Sequence, residues 1–184
     1  MYWYKPIKQY LRFTGALALL CCGYACKPEI KETGASVKYF DLKEYFRSDS
    51  ARLAVLNPEI TKTVSHNGDS ETKKMHIPNW GREFGLFKSS DINKPAWKDS
   101  YTVQLTGDSL ISYKAKFPEL KTREIVIRKS KGKVISVAIT NDVHNLLYQT
   151  IEKLTYVPNS YYLIEKKQHV KVMGENDYLI KGVF

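Results

Sequence analysis

Beyond Cys26 the chain has no cysteine. All three cysteines of the 184 residues are Cys21, Cys22 and Cys26, so the remaining body can form no internal disulfide and offers no thiol for catalysis or metal binding. The signatures of common chemistries are missing too. There is no G-x-S-x-G elbow, no H-E-x-x-H zinc helix, no G-x-G-x-x-G dinucleotide turn and no P-loop. His66, His76, His144 and His169 stand apart in sequence, without the spacing of a zinc site, and no metal or cofactor is expected. Repeats, low-complexity tracts and βαβ crossovers are absent, and no apolar run reaches the ~20 residues that a bilayer-spanning helix needs. These absences leave a non-enzyme as the expectation, with no catalytic residue to name.

What is present starts with residues 13–26, FTGALALLCCGYAC. Lys5, Lys8 and Arg12 precede this short apolar run without any acid, and the small residues Gly23 and Ala25 close it, which is the pattern of a secretory signal. The segment resembles the lipobox of bacterial lipoproteins, with Ala25 as the small residue before the cysteine, although Gly23 stands where Leu is usual and Tyr24 is bulky. That resemblance implies acylation of Cys26, with palmitate-like chains, as the lipid-attachment site. Cys22, after Leu19 and Leu20, is a second candidate. Ordinary cleavage after Ala25 would leave a free thiol at Cys26, and an uncleaved segment would itself be the anchor. The organisation expected is a lipoprotein signal peptide at 1–25, a flexible tether at 26–38 and one domain at 39–184. The tether, polar and broken by Pro28 and Gly34, would span roughly 20 Å as a coil.

Loss of the signal takes three cations away, so the formal charge of +10 falls to about +7. Export and the lack of any nucleic-acid motif argue against DNA or RNA. The first reading is a solvated basic face with no specific ligand; anionic head groups or acidic glycans are the more natural partners if it has one, each cation near an anionic surface contributing ~1 kcal/mol.

In the body, Asp41-x-x-Glu44 has the form of a capping box, Phe40 can staple on Tyr45, and Leu42, Phe46, Leu53 and Leu56 recur at helical spacing up to Asn57-Pro58. Asp49 interrupts that stripe as a rim residue. Asn67-Gly68 predicts a two-residue hairpin in which Val64 faces Glu71, Ile60 faces Met75 and Thr63 faces Thr72. Asn79 caps a second helix carrying Trp80, Phe84 and Phe87 on one face and continuing to Asp91 or Ile92. Gly81 and Gly85 weaken this helix, and close packing of a neighbour is the expected reason for them. From Tyr101 alternation takes over, with turns at Gly107-Asp108, Lys131-Gly132-Lys133, Asn141-Asp142, Pro158-Asn159-Ser160 and 174–177, and with a long strand over 146–157. The expected fold is α+β, an antiparallel meander of about eight strands curved around two helices.

Aromatic residues are frequent in the sheet and on the second helix. Strand propensity and core packing, with Trp80, Phe84 and Phe87 in the concavity of the sheet, are the favoured explanation; the sharper alternative is a ligand pocket of Trp80, Phe84, Phe87, Trp97 and Tyr113 between helices and sheet, suited to acyl chains or sugar faces. Lys114, Lys116, Arg123, Arg128 and Lys166 could then meet a head group at its rim. The segments INKPAWKDSY (92–101), LLYQTIEKLTYVPNSYYLI (146–164) and GENDYLIKGVF (174–184) resemble uncharacterised bacterial cell-envelope lipoproteins, a likeness that brings no activity or site residue with it. The sheet-around-helices plan is also similar in architecture to periplasmic lipoprotein carriers. Lys27 directly after Cys26, in place of Asp, resembles outer-membrane sorting. The function expected is an envelope accessory or scaffold lipoprotein, held to the membrane by its N-terminal lipid, with envelope proteins as partners; the alternative is a binding module for lipid or acidic glycan.

Overall fold

The computed structural model describes residues 37–172 and 174–184. The signal, Cys26 and the tether up to residue 36 lie outside the described residues. Leu42–Leu56 forms α1, and the hairpin β1 (Glu59–His66) and β2 (Asp69–His76) follows. Two short helices, α2 (Trp80–Glu83) and α3 (Gly85–Ser89), and a 3₁₀ turn at Pro95–Trp97 lead into the meander. Its strands are β3 (Tyr101–Thr106), β4 (Leu110–Ala115), β5 (Thr122–Ser130), β6 (Lys133–His144), β7 (Tyr148–Val157), β8 (Tyr161–Val170) and β9 (Gly174–Val183). All nine join one antiparallel sheet in the order β2-β1-β9-β8-β7-β6-β5-β4-β3. The early hairpin therefore adds to the last strand of the meander, beside β9.

This corrects the expected α+β plan of about eight strands and two helices: of the described residues, 54% are in strands and 18% are helical. The second helix is not continuous. Phe84, at φ −87° and ψ 18°, leaves helical geometry between α2 and α3. Gly81 and Gly85 flank that break, and their high backbone entropy makes continuous helix costly there. Close packing does not explain both glycines. A Cβ at Gly85 would meet nothing within 4 Å, and one at Gly81 would come 3.2 Å from the Asn79 capping oxygen.

Helix α1 starts as its cap predicts, Asp41 Oδ1 accepting from the Glu44 N–H at 2.7 Å, with the Phe40 and Tyr45 ring centroids 5.5 Å apart. The reciprocal half of the capping box is not made, because the Glu44 carboxylate pairs with Arg47. Leu42, Phe46 and Leu53 are buried, whereas Leu56 is exposed and Ser50 takes an interior position by donating its hydroxyl to the Phe46 carbonyl. The β1–β2 register is the expected one, Ile60 facing Met75, Thr63 facing Thr72 and Val64 facing Glu71. Asn67 (φ 51°) and Gly68 (φ 95°) supply the positive φ of the turn.

Three strand boundaries differ from expectation. Asn141 and Asp142 lie inside β6, paired with Glu152 and Ile151, and residues 174–177 lie inside β9. Leu146 and Leu147 fall in the turn before β7. In the first two cases cross-strand pairing outweighs a turn-forming composition. One face of the sheet carries the core. Its rows Tyr162–Tyr156–Val137–Ile127 and Ile164–Leu154–Ile139–Ile125–Tyr113 pack under Leu42, Phe46, Leu53, Trp80, Phe84, Phe87 and Ile92. Among the described residues no helix is long and apolar enough to cross a membrane.

Candidate functional site

Two tyrosines face each other across the β7–β8 hairpin, Tyr156 and Tyr162. Each reaches up from the sheet to a carboxylate on a different helix. The Tyr156 hydroxyl donates to Asp49 on α1, whose other oxygen accepts from Arg52 Nε at 2.6 Å. The Tyr162 hydroxyl donates to Glu83 on α2 at 2.6 Å, and Glu83 is bonded to Lys62 Nζ from β1 at 2.9 Å. Burial first, and then the neighbouring carboxylate, holds both phenols well above the usual range, so they remain neutral donors. The ring of Phe84 packs against both tyrosines, with centroids 5.1 and 5.7 Å away. The expected rim role of Asp49 is what the structure shows, bonded to Arg52, with Tyr156 as a further partner.

Tyr162 can lean towards Glu83 because its neighbour on β9 is Gly182. A Cβ built there would lie 2.1 Å from Tyr162 Cε1 and 2.7 Å from its hydroxyl oxygen, so the ring occupies the space that any side chain would fill.

Beside Glu83 opens a cleft of about 380 Å³ lined by Ile77, Pro78, Asn79, Arg82, Glu83, Leu86, Ile164 and Ile180. Its walls come from the segment before α2, from α2 and α3, and from β8 and β9. Five of the eight lining residues are apolar, with the polar groups supplied by Asn79, Arg82 and Glu83. Asn79 is engaged in capping, accepting from the Arg82 N–H at 2.8 Å. Glu83 is spent on Tyr162 and Lys62. Among the described residues Arg82 has no ion pair, so its guanidinium is the group here left for an anionic ligand.

The five residues expected to form an aromatic pocket lie elsewhere. Trp80, Phe84 and Phe87 are fully buried in the core and Tyr113 is buried, its hydroxyl accepting from the Phe40 N–H at 3.1 Å. Trp97 is half-buried on the core margin, with Lys94 Nζ 3.9 Å from its ring centroid. None of the five lines the cleft. Of the five cations expected at the rim, Lys114 pairs with Glu124 at 3.6 Å and Arg123 binds the Phe117 carbonyl. Cys26 lies outside the described residues.

A second polar cluster is buried under α3. Asn141 Nδ2 donates to Ser90 Oγ at 2.9 Å and to Glu152 Oε2 at 3.1 Å, while Lys121 Nζ stands 3.7 Å from Glu152. Thr122 donates to the Ser90 carbonyl and Tyr101 to the Thr122 carbonyl. The cluster ties the end of α3 to β5, β6 and β7. Among the described residues no group of three or more His, Cys, Asp or Glu could hold a metal ion. His66 stacks on Tyr178 with centroids 4.5 Å apart, and His76 bonds the Asn57 carbonyl at the far end of the same hairpin.

Sequence reasoning missed the two tyrosine–carboxylate pairs. The available signal was the hairpin itself, since Tyr156 and Tyr162 flank Pro158-Asn159-Ser160 closely enough to be cross-strand partners. No protein-family model, curated protein or solved structure matches the chain.

Proposed function

We propose that this chain is a membrane-anchored, non-enzymatic lipoprotein of the cell envelope, attached to the outer membrane through Cys26, that serves as an accessory or scaffold component. In this reading the sheet curves around its helix layer as a rigid body, and residues 26–38 tether that body to the membrane. One observation carries the preference for scaffold over carrier. The space between helices and sheet, where a carrier would hold acyl chains, is filled by Phe46, Phe84, Phe87, Trp80, Tyr156 and Tyr162 in close ring contact. The half-buried carboxylates Asp49 and Glu83 are each committed to a tyrosine and a cation, which supports a structural use for them. Crosslinking in intact membranes tests the reading: reproducible protein neighbours are expected, and a chain that crosslinks to none contradicts the scaffold role.

A second reading, a binding module for lipid or acidic glycan, is favoured by the cleft beside Arg82, whose apolar floor and unpaired guanidinium suit an amphiphilic anion. Native mass spectrometry of the chain decides between the two. Co-purifying lipid or glycan that is lost in Arg82→Ala supports the module; an empty chain supports the scaffold.

A further inference from the structure

The sheet has two open edges, β2 and β3, and they differ in how they would meet an approaching strand. An edge strand offers unpaired N–H and C=O groups to any extended chain, and charged side chains along it are a common deterrent. Strand β2, DSETKKMH, carries Asp69, Glu71, Lys73 and Lys74. Strand β3, YTVQLT, carries no charge and no proline. The nearest charged residues in sequence, Asp99 and Asp108, lie beyond its ends, and Lys114, beside Thr102 on β4, is paired with Glu124.

The Lys116 N–H donates to the Ser100 carbonyl at 2.9 Å, just before β3 begins. Bonded positions alternate along antiparallel strands, so Thr102, Gln104 and Thr106 bond to β4 while Tyr101, Val103 and Leu105 direct their backbone groups away from it. Tyr101 is buried, whereas Val103 is 45% and Leu105 68% exposed. Among the described residues no backbone bond reaches the outward groups of these two. Their side chains continue the rows of the core: Val103 faces Tyr113, and Leu105 faces Ile111, which faces Ile127. The apolar rows thus run out to the edge and are exposed there.

Residues 102–106, TVQLT, have the same chemical order in both directions: hydroxyl, aliphatic, amide, aliphatic, hydroxyl. A two-fold interface requires such self-complementarity, which a foreign strand would not. We infer that β3 pairs antiparallel with β3 of a second copy of this chain, about a two-fold axis through Gln104. In that register Val103 faces Leu105 of the second copy, and the two exchange both backbone bonds. Gln104 faces Gln104 and Thr102 faces Thr106, so aliphatic pairs share the core face, amide and hydroxyl pairs share the other, and no like charges meet within the strand. The axis stands perpendicular to the sheet, which joins nine strands from each copy with both helix layers on one face. Pairing consumes both uncharged edges and leaves only the charged β2 edges open, so assembly stops at two. The inference goes beyond the scaffold reading and does not depend on the lipid anchor.

The test uses the full chain in intact cells, treated with a membrane-permeant thiol oxidant, with cysteines placed along the two edges. Gln104→Cys would lie opposite its own copy in a non-hydrogen-bonded pair, where Cα atoms approach closely enough for a disulfide. A disulfide-linked dimer is expected from it, joined 104 to 104 by peptide mass. Thr102→Cys alone, whose opposite residue is Thr106, and Lys73→Cys on the β2 edge should give no such dimer. Thr102→Cys/Thr106→Cys should restore it, a pattern set by register rather than by stability. Adding Leu105→Lys to Gln104→Cys should cut the yield at least roughly tenfold, since each leucine lost from a contact weakens association by that order. No dimer from Gln104→Cys, equal yields from 104 and 102 or from 104 and 73, or a yield unmoved by Leu105→Lys overturns the pairing. A bond from position 104 to Cys26 of the same chain or to another protein overturns it too, and assigns the edge to that occupant.

Discussion

Gly182→Ala should destabilise the protein, although alanine is ordinarily preferred to glycine within a strand by about 0.5–1 kcal/mol. The sign reverses here because the new methyl would sit 2.1 Å from Tyr162 Cε1. The ring cannot retreat freely. It packs edge-on against Phe84 and Trp80, with centroids 5.7 and 6.3 Å away, and its hydroxyl is bonded to Glu83. Overpacking of this kind costs about 1–3 kcal/mol. Displacing the ring also breaks a hydrogen bond to a charged group, worth about 1.5–3 kcal/mol. The expected loss is about 3–5 kcal/mol, or roughly 6–20 °C in Tm for a chain of this size. Thermal unfolding followed by near-ultraviolet circular dichroism reads it. A double-mutant cycle isolates the cause: in a Tyr162→Ala background, Gly182→Ala should be neutral or slightly stabilising. A Gly182→Ala protein as stable as the parent, or equal effects in both backgrounds, would refute the close approach of Tyr162 to β9.

Asp49→Ala leaves the Tyr156 hydroxyl buried without its acceptor and should cost about 2 kcal/mol in urea unfolding, whereas Glu44→Ala on the exposed face of α1 should change stability by less than about 0.5 kcal/mol. Asn141→Asp places a second carboxylate against Glu152 inside the polar cluster; it should destabilise by about 3 kcal/mol at neutral pH and recover part of that loss as acid protonates the pair. Alkaline pH supplies a third test. Burial pushes Tyr45 and Tyr101 from 10.0 up to about 12, so above pH 10 the unfolded chain releases protons that the folded chain retains. Their contribution is complete below pH 10 and is lost as pH rises towards 12. The urea midpoint should therefore fall across that window, with phenolate absorbance from these groups appearing late; a flat midpoint would contradict their burial.

Local chemistry was legible wherever one short segment settles its own geometry. Asn67-Gly68 fixed the β1–β2 register because a two-residue turn with positive φ leaves one pairing, and Asp41 fixed the start of α1 through a bond three residues away. Strand limits were harder to read. Leu146 and Leu147 look like strand residues by propensity, and their position depends on Asn145 closing the turn beneath them. Asn141 looks like a turn residue, yet it is buried, with Ser90 and Glu152 accepting from its amide nitrogen while its Oδ1 stands buried without a partner. The aromatic face of the second helix was legible as a face, and core packing was its favoured reading, which the burial of Trp80, Phe84 and Phe87 bears out; the sequence left a pocket open beside it. That distinction depends on Tyr156 and Tyr162, which arrive from the sheet and fill the space. Their bonds to Asp49 and Glu83 span 107 and 79 residues of sequence, with no local pattern to announce them. The cleft was missed for a related reason, since its floor and walls come from β8, β9 and the α2–α3 region, which only the tertiary fold brings together.

The account depends most on the fate of Cys26, since the tether and the scaffold role both assume that it is the membrane attachment. Mass spectrometry of the N-terminal peptide, isolated from membranes, measures that directly. A mature chain beginning at Cys26 and carrying acyl chains is the predicted result. A peptide with an unmodified Cys26 thiol, or one still joined to residues 1–25, would contradict it.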